Sequence, residues 1–337
     1  MEMRRREFIA ALSGAITVGG WSTAADAQSQ SRAVAEAPVP AIGFLSVRSQ
    51  DDAAADAEAF RSGLLQAGYA EGRNVRIEYR WRNGEYDRLP ALAQDLIQSQ
   101  VGIIAAFGPV PALAAKALTT TIPIVFTSSA DPVRSGLVTS LSRPEGNVTG
   151  VSLLAVDLGL KRLEILHQLV PNLASIGFIV HSHYTAAASE ANELETAGRT
   201  IGIQVRVLTV GSDAGIDNAF DTLVGQDIKA LMIPGDAFFN RVRPHLVELA
   251  SRHRLAAIYP WCEYAAAGGL VSYGTSISDG FRQVGVYAGK IFSGARPSEL
   301  PVLQPTKFEL VINLKTAKAL GIAIPPTLLA RADEVVE

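Results

Sequence analysis

The chain has 337 residues, 48% hydrophobic and 19% charged, a composition that predicts a globular protein long enough for two domains. Its formal net charge is −3 and its basic residues form a run only near the N-terminus, which argues against a nucleic-acid partner. Cys262 is the single cysteine, which excludes an internal disulfide and a cysteine-rich metal site.

Residues 1–27 have the pattern of a twin-arginine export signal. Arg4-Arg5-Arg6 forms a basic start, an Ala- and Gly-rich apolar stretch follows, and Ala25-Asp26-Ala27 supplies a small-x-small cleavage site. Cleavage there predicts a mature chain that begins at Gln28, with a flexible leader over residues 28–40. The expected location is the periplasm. The alternative interpretation is an amphipathic N-terminal helix.

Strands and helices are predicted to alternate from Ala41 onward. This order predicts a parallel sheet with right-handed crossovers. The segment from Val75 to Trp81 alternates apolar and charged residues, which is typical of a half-buried strand near a sheet edge. The other predicted strands of this first run are residues 41–47, 101–107 and 122–126, and its predicted helices are residues 51–67, 89–96 and 111–118.

The stretch from Pro123 to Ser152 organises the first run. A buried strand ending at Phe126 is followed by small polar residues and then by Asp131-Pro132, a pattern that predicts a helix from there to about Leu141. In open α/β sheets, ligands bind beyond the carboxyl ends of the strands, and a helix N-terminus there offers free N–H groups. Half of a binding site is therefore predicted at this point.

A second alternating run begins after Val151, so the expected fold class is α/β, with two Rossmann-like lobes whose parallel sheets are joined by a three-segment hinge. The first lobe is predicted to comprise residues 41–150 plus 277–300, and the second residues 151–276 plus 301–337. The crossings between them are expected near residues 150–154, 273–277 and 301–306.

Strand ends supply the candidate ligand-binding residues. The first lobe contributes Ser46, Phe107, Pro109, Ser128, Ser129 and Asp131. The second contributes His181, His183, Tyr184, Asp236 and Tyr259, and Tyr273 lies at a crossing.

Each candidate role has a structural alternative. Ser128 and Ser129 either hydrogen-bond a ligand carboxylate or cap their own loop. Asp131 is expected to be an N-cap rather than a ligand contact, whereas Asp236 either pairs with a ligand amine or caps a helix. The aromatic candidates either stack on an apolar ligand or pack in the core; they are Phe107, Tyr184 and Tyr259.

Catalytic and metal motifs are absent from the sequence. It contains no Gly-x-Ser-x-Gly elbow, Walker loop, Gly-x-Gly-x-x-Gly or His-Glu-x-x-His. His181 and His183 have no matched ligand cluster elsewhere, so we expect them to be hydrogen-bonding loop residues rather than metal ligands. No enzyme activity, metal or cofactor is predicted.

Two long segments carry a family resemblance, with a shorter one between them. One runs from Asp131-Pro132-Val133 to Asn147-Val148-Thr149-Gly150, and the other from Leu300-Pro301 to Asp333-Glu334. Gly268-Gly269-Leu270, with Ser272-Tyr273-Gly274, also fits. Over about residues 40–337 the chain resembles the substrate-binding proteins of ABC transporters, in the family that includes tryptophan-uptake receptors. Such proteins often carry Gly-Gly before Asp-Pro-Val, where this chain has Ser128-Ser129-Ala130.

The resemblance implies a type I periplasmic binding protein that holds a small organic solute in its interlobe cleft. Its partner would be an ABC permease in the inner membrane, and the receptor itself would be a monomer. The family is known for hydrophobic and aromatic amino acids, so the expected ligand is one of these or a related carboxylate. A sensory ligand-binding protein for a membrane receptor and an exported enzyme on the same scaffold are the alternatives.

Overall fold

The computed structural model describes residues 39–81 and 84–337, so the predicted export signal and most of the leader lie outside the described residues. The first sheet within these ranges is parallel throughout. Its strands are β1 (Ala41–Ser46), β2 (Arg76–Trp81), β3 (Ile103–Phe107), β4 (Ile124–Ser128) and β5 (Val148–Ser152). They are hydrogen-bonded in the order β2-β1-β3-β4-β5.

The second sheet has the order β12-β11-β10-β9-β8-β6-β7. These strands are β6 (Ser175–His181), β7 (Gln204–Val210), β8 (Ala230–Met232), β9 (Ala256–Tyr259), β10 (Val271–Gly274), β11 (Glu309–Asn313) and β12 (Glu334–Val336). The β10–β11 pair is antiparallel and the other pairs are parallel. The α/β fold class with two mainly parallel lobes is confirmed, and we call the two sheets with their helices the first and second lobes.

Helices cover the sheets. Those of the first lobe are α1 (Ala54–Gln66), α2 (Leu89–Gln98), α3 (Pro109–Lys116) and, from later in the chain, α10 (Ile277–Phe292). Those of the second lobe are α4 (Gly159–Leu169), α5 (Ala187–Thr200), α6 (Asp213–Gly225), α7 (Ala237–Arg241), α8 (Arg243–Arg252), α9 (Cys262–Ala266), α11 (Leu314–Leu320) and α12 (Pro326–Leu329).

The core follows from the sequence of the central strands. Every residue of β3 and β4 is buried, as expected for continuous apolar runs in a parallel sheet covered on both faces.

The α10 helix follows most of the second lobe in the chain but packs on α1 of the first lobe, where small residues let the two backbones approach closely. A Cβ placed at Gly63 would lie 1.9 Å from the carbonyl oxygen of Arg282.

Three crossing segments lie side by side between the lobes. The Ser152 amide donates to the Leu303 carbonyl at 2.8 Å, and the Leu303 amide donates to the Gly150 carbonyl at 2.9 Å. The Thr275 hydroxyl donates to the Leu153 carbonyl at 3.0 Å, which ties the middle crossing to the first. Each crossing is therefore bonded to a neighbour by one or two hydrogen bonds rather than by an extended ladder.

The predicted helix after Asp131 is wrong. Residues 132–136 form turns, and no helix of the described residues begins before α4 in this part of the chain. The Asp131 carboxylate nevertheless accepts from the amides of Val133, at 2.7 Å, and Arg134, at 3.2 Å. The capping chemistry that the sequence predicts is present, but it stabilises a turn.

Candidate functional site

A cavity of about 40 Å³ lies between the lobes at the carboxyl ends of the strands. The first lobe and its α10 helix provide Ser46, Arg48, Phe107, Gly108, Pro109, Thr127, Ser129, Ile277 and Phe281. Leu153 comes from a crossing, and the second lobe provides Gly235, Ala237, Asn240 and Trp261. Ligand pockets are usually about 300–1,000 Å³, so separation of the lobes is needed before this cleft admits a solute.

One wall of the cavity is aromatic. The rings of Phe107 and Phe281 are stacked, with centroids 4.2 Å apart and an interplanar angle of 9°. Phe107 is supported from behind by Phe44, whose ring centroid is 4.1 Å away. With Leu153 and Ile277 beside them, these rings offer a rigid apolar surface to a flat or hydrophobic solute.

Two residues that line this cavity from opposite lobes carry buried N–H donors. The Arg48 side chain pairs through Nη1 with the Asp56 carboxylate, while its Nε has no hydrogen-bond partner among the described residues. Trp261, 2% exposed, likewise leaves its Nε1 unpartnered within the described part of the chain. Buried donors are normally satisfied, so both nitrogens point to an acceptor that a ligand can supply.

Asp236 lies beside the cavity, between the lining residues Gly235 and Ala237, and caps α7. Its carboxylate accepts from the Phe238 amide at 2.8 Å. Burial raises the pKa of Asp236 to about 6, although backbone N–H groups favour the charged form. The structure thus supports the capping role among the two alternatives.

An aromatic cluster joins the lobes at the side of the cleft. His181, at the end of β6, stacks on Phe238 at 4.1 Å between ring centroids. His183 stacks on Tyr86 of the first lobe at 4.9 Å and 1°, and its Nε2 lies 3.8 Å from the Asp87 carboxylate. Burial, followed by the charges of His183 and Arg241, lowers the pKa of His181 to about 4, so that imidazole is neutral at physiological pH.

Candidate ligand-binding residues were predicted at the carboxyl ends of strands, and we call this the strand-end rule. Four of them line the cavity: Ser46, Phe107, Pro109 and Ser129. Ser128 is fully buried and donates its hydroxyl to the Ala130 carbonyl at 2.7 Å, so it braces the loop. Asp131 lies instead at a separate interlobe opening of about 390 Å³, which it shares with Asp157 and Arg134.

The three predicted tyrosines do not line the cavity. Tyr184 donates to Glu190 at 2.7 Å within the second lobe. Tyr259 is fully buried and its ring stacks on Tyr264 at 4.6 Å. Tyr273 packs against the core of the second lobe, and its carbonyl accepts from the buried Arg162 at 3.4 Å. For these residues the structure favours the core-packing alternative.

Sequence reasoning missed Arg48, Asn240, Trp261 and Phe281. Arg48 and Trp261 each lie two residues beyond a strand end, at Ser46 and Tyr259, so a rule that allowed for a longer loop would have found them. Phe281 and Asn240 lie on helices and have no such signal.

Neither a metal site nor a membrane span is found in the part of the chain that the structure describes. Residues 39–81 and 84–337 bring together no group of three or more His, Cys, Asp or Glu side chains able to hold a metal ion. Across the same residues, no helix combines the length and apolar character needed to cross a bilayer.

Two lobes, three crossings and a cavity between strand ends define a two-lobed solute-binding protein, and similar solved structures are type I periplasmic binding proteins. Residues 42–336 match the family model described as ABC transporter substrate binding protein. The chain belongs to that family.

Two of the similar proteins are described with an aromatic amino acid. The chain is 26% identical over 264 residues to a tyrosine-binding protein of Clostridioides difficile, covering 78% of this chain and 75% of the relative. It superposes with a TM-score of 0.79 on a Streptococcus pneumoniae ABC domain in complex with L-Trp, at 24% identity, covering 88% of this chain and 100% of the other. It superposes on a conserved domain protein from Vibrio cholerae with a TM-score of 0.82 at 25% identity, covering 88% of this chain and 99% of the other.

Proposed function

We propose that this protein is the periplasmic receptor of an ABC import system and binds a hydrophobic or aromatic amino acid or a related carboxylate in the interlobe cleft. One observation carries the proposal: a single cavity is lined by the stacked Phe107 and Phe281 rings from the first lobe and by Trp261 from the second. The indole N–H of Trp261 has no partner among the described residues. A solute that uses both walls must bridge the lobes.

Bridging explains how binding is coupled to delivery. A ligand shifts an open–closed equilibrium only by its difference in affinity for the two states. A solute touching both lobes has that difference, because it contacts both lobes at once only when they are closed. The closed receptor is then the form that an inner-membrane permease distinguishes from the empty one, and no chemistry on the solute is required.

The ligands named for two relatives support an aromatic amino acid or a related carboxylate as the ligand class. Tyrosine and L-tryptophan, named for these two relatives, each combine a flat aromatic side chain with an α-carboxylate. An aromatic wall and buried N–H donors suit such a solute here. A sensory role for a membrane receptor uses the same binding step, so it differs in partner rather than in ligand.

The test is calorimetric titration of the purified protein with tyrosine, tryptophan, phenylalanine and matched aromatic carboxylates. At least one should bind in a 1:1 ratio and be recovered unchanged. Phe281→Leu, which removes a ring but keeps an apolar side chain, should weaken binding by about 2- to 10-fold, as expected for an aromatic contact. Val133→Ala, on an exposed surface, is the control. Turnover of the bound compound would identify an enzyme instead.

Export is a separate part of the proposal and rests on Arg5-Arg6 and the cleavage site at Ala25-Asp26-Ala27. Replacing both arginines by lysine should leave uncleaved precursor in the cytoplasm, because twin-arginine recognition requires the pair. Cell fractionation with a mass measurement of the periplasmic product checks this. An unchanged amount of mature protein would reject the twin-arginine assignment.

A further inference from the structure

The cavity has buried positive and neutral donors that lack acceptors. Arg48 is 5% exposed and Trp261 is 2% exposed, so neither side chain has ready access to bulk water. Both the Arg48 Nε and the Trp261 Nε1 lack a partner among the described residues, and they belong to opposite lobes. Because a guanidinium offers several donors in one plane, Arg48 can keep Asp56 on one nitrogen and receive a ligand oxygen on another.

Within the described part of the chain, no unpaired carboxylate lines the cavity that holds Arg48 and Trp261. The described residues that line the cavity include neither Asp nor Glu. Asp56 is already paired with Arg48, and Asp236 accepts from the Phe238 amide as the cap of α7. Burial, with a smaller contribution from the nearby charge of Asp56, raises the pKa of Glu263. Glu263 is not among the lining residues.

Neutral acceptors at the cavity are also partly engaged. The Asn240 Oδ1 accepts from Arg243 Nη1 at 2.7 Å, and the Ser46 hydroxyl oxygen accepts from the Arg48 amide at 3.1 Å. An ammonium group closed into this cleft would lose its water without gaining a negative partner, which is strongly unfavourable. A carboxylate would gain two buried donors in the same step.

Building on the proposed function, we propose that the cleft selects an aryl or arylalkyl carboxylate that lacks an α-ammonium group over the zwitterionic amino acid with the same side chain. The carboxylate accepts from Arg48 of the first lobe and Trp261 of the second. The aromatic part lies against the Phe107 and Phe281 wall.

Three probes on one framework test the charge preference directly: 3-phenylpropanoate carries only the carboxylate, L-phenylalanine carries both charges, and 2-phenylethylamine carries only the ammonium. Calorimetry at neutral pH should show 3-phenylpropanoate binding at least about 10-fold more tightly than L-phenylalanine, the range for a charge-assisted interaction, with no binding of the amine. Equal or tighter binding of L-phenylalanine overturns this inference and leaves the proposed receptor function intact. Failure of all three probes, and of tyrosine and tryptophan, overturns both.

Two variants test which N–H donors hydrogen-bond the ligand carboxylate. Trp261→Phe removes the indole N–H, together with part of the ring, while keeping an aromatic side chain, and should weaken 3-phenylpropanoate by about 3- to 10-fold. Arg48→Gln alone would leave the buried Asp56 carboxylate without its partner. The informative change is therefore the double variant Arg48→Met with Asp56→Leu, which replaces the whole ion pair by apolar side chains. It should fold and lose the preference for 3-phenylpropanoate over L-phenylalanine. Wild-type affinity and preference in the double variant would refute the assignment of Arg48.

Discussion

At the scale of single residues, the raised pKa of Asp236 tests whether this carboxylate is a structural helix cap. Its pKa is raised from 3.8 to about 6 by burial, so the folded protein favours the protonated form more than the unfolded chain does. Folding stability from this group is therefore present at acidic pH and is lost as the pH rises through about 6.

We predict that Asp236→Asn removes this loss and keeps the cap, because asparagine is as good an N-cap as aspartate. The difference in free energy of unfolding between variant and wild type should grow from pH 4 to pH 7 in favour of the variant. Asp236→Ala should cost about 0.5–2 kcal/mol, since it removes the cap. Denaturant titrations at several pH values measure both effects. A variant difference that does not change with pH would contradict the raised pKa.

The strand-end rule worked at this scale only as far as the local geometry of the chain could be foreseen. It correctly predicted that residues such as Ser46 and Phe107 lie at one edge of a parallel sheet. It could not decide between neighbours, since successive side chains on a strand point to opposite faces. Ser128, the last residue of β4, is buried and donates to its own loop, whereas Ser129, one residue beyond the strand, lines the cavity. Loop length decided the rest, which is why Arg48 and Trp261 were missed.

At the scale of elements, the order of strands and helices was largely predictable, and the failure after Asp131 has a tertiary cause. Lys116 on α3 donates to the Gly136 carbonyl at 2.6 Å and to the Leu137 carbonyl at 3.1 Å. Gly136 has a φ of 73°, outside the helical region. A contact from another helix thus takes up carbonyls that a continuing helix would have used, and local sequence carries no information about it.

The contact between α1 and α10 gives a prediction for helix packing. A Cβ on Gly285 would lie 2.2 Å from the Phe60 carbonyl oxygen, so Gly285→Ala must push the helices apart. We expect a loss of about 1–3 kcal/mol in the free energy of unfolding, the usual cost of overpacking. The control is Gly225→Ala at the end of α6, where a Cβ would meet nothing within 4 Å. Chemical denaturation compares the two. Equal effects would show that the close approach is not limiting.

At the scale of the whole molecule, the closed arrangement includes an ion pair and ring contacts across the cleft. Arg134 of the first lobe and Glu193 of the second are 3.0 Å apart, and the Tyr86–His183 stack lies on the same two lobes. Because these contacts exist only between lobes, weakening them shifts the population towards the open form without touching either core.

We predict that His183→Ala increases the radius of gyration of the ligand-free protein and leaves its thermal stability nearly unchanged. A saturating ligand should restore the compact form, with weaker apparent affinity, since part of the binding energy is then used to close the lobes. Small-angle scattering with and without ligand measures this. Lys315→Ala, exposed on the second lobe, is the control. A radius that is the same in both variants would exclude a closing role for the stack.

The position of α10 also sets the order in which the protein can mature during synthesis. The chain completes β5 at Ser152, yet α10, the helix that packs on α1, begins only at Ile277, after most of the second lobe has been made. The α1 surface that α10 covers, including Phe60 and Gly63, therefore stays exposed in the nascent chain while more than a hundred further residues are synthesised. The first lobe should therefore become protease-resistant only after α10 has been synthesised, although its sheet is complete at Ser152, and neither lobe can be cut from the gene as a single continuous segment.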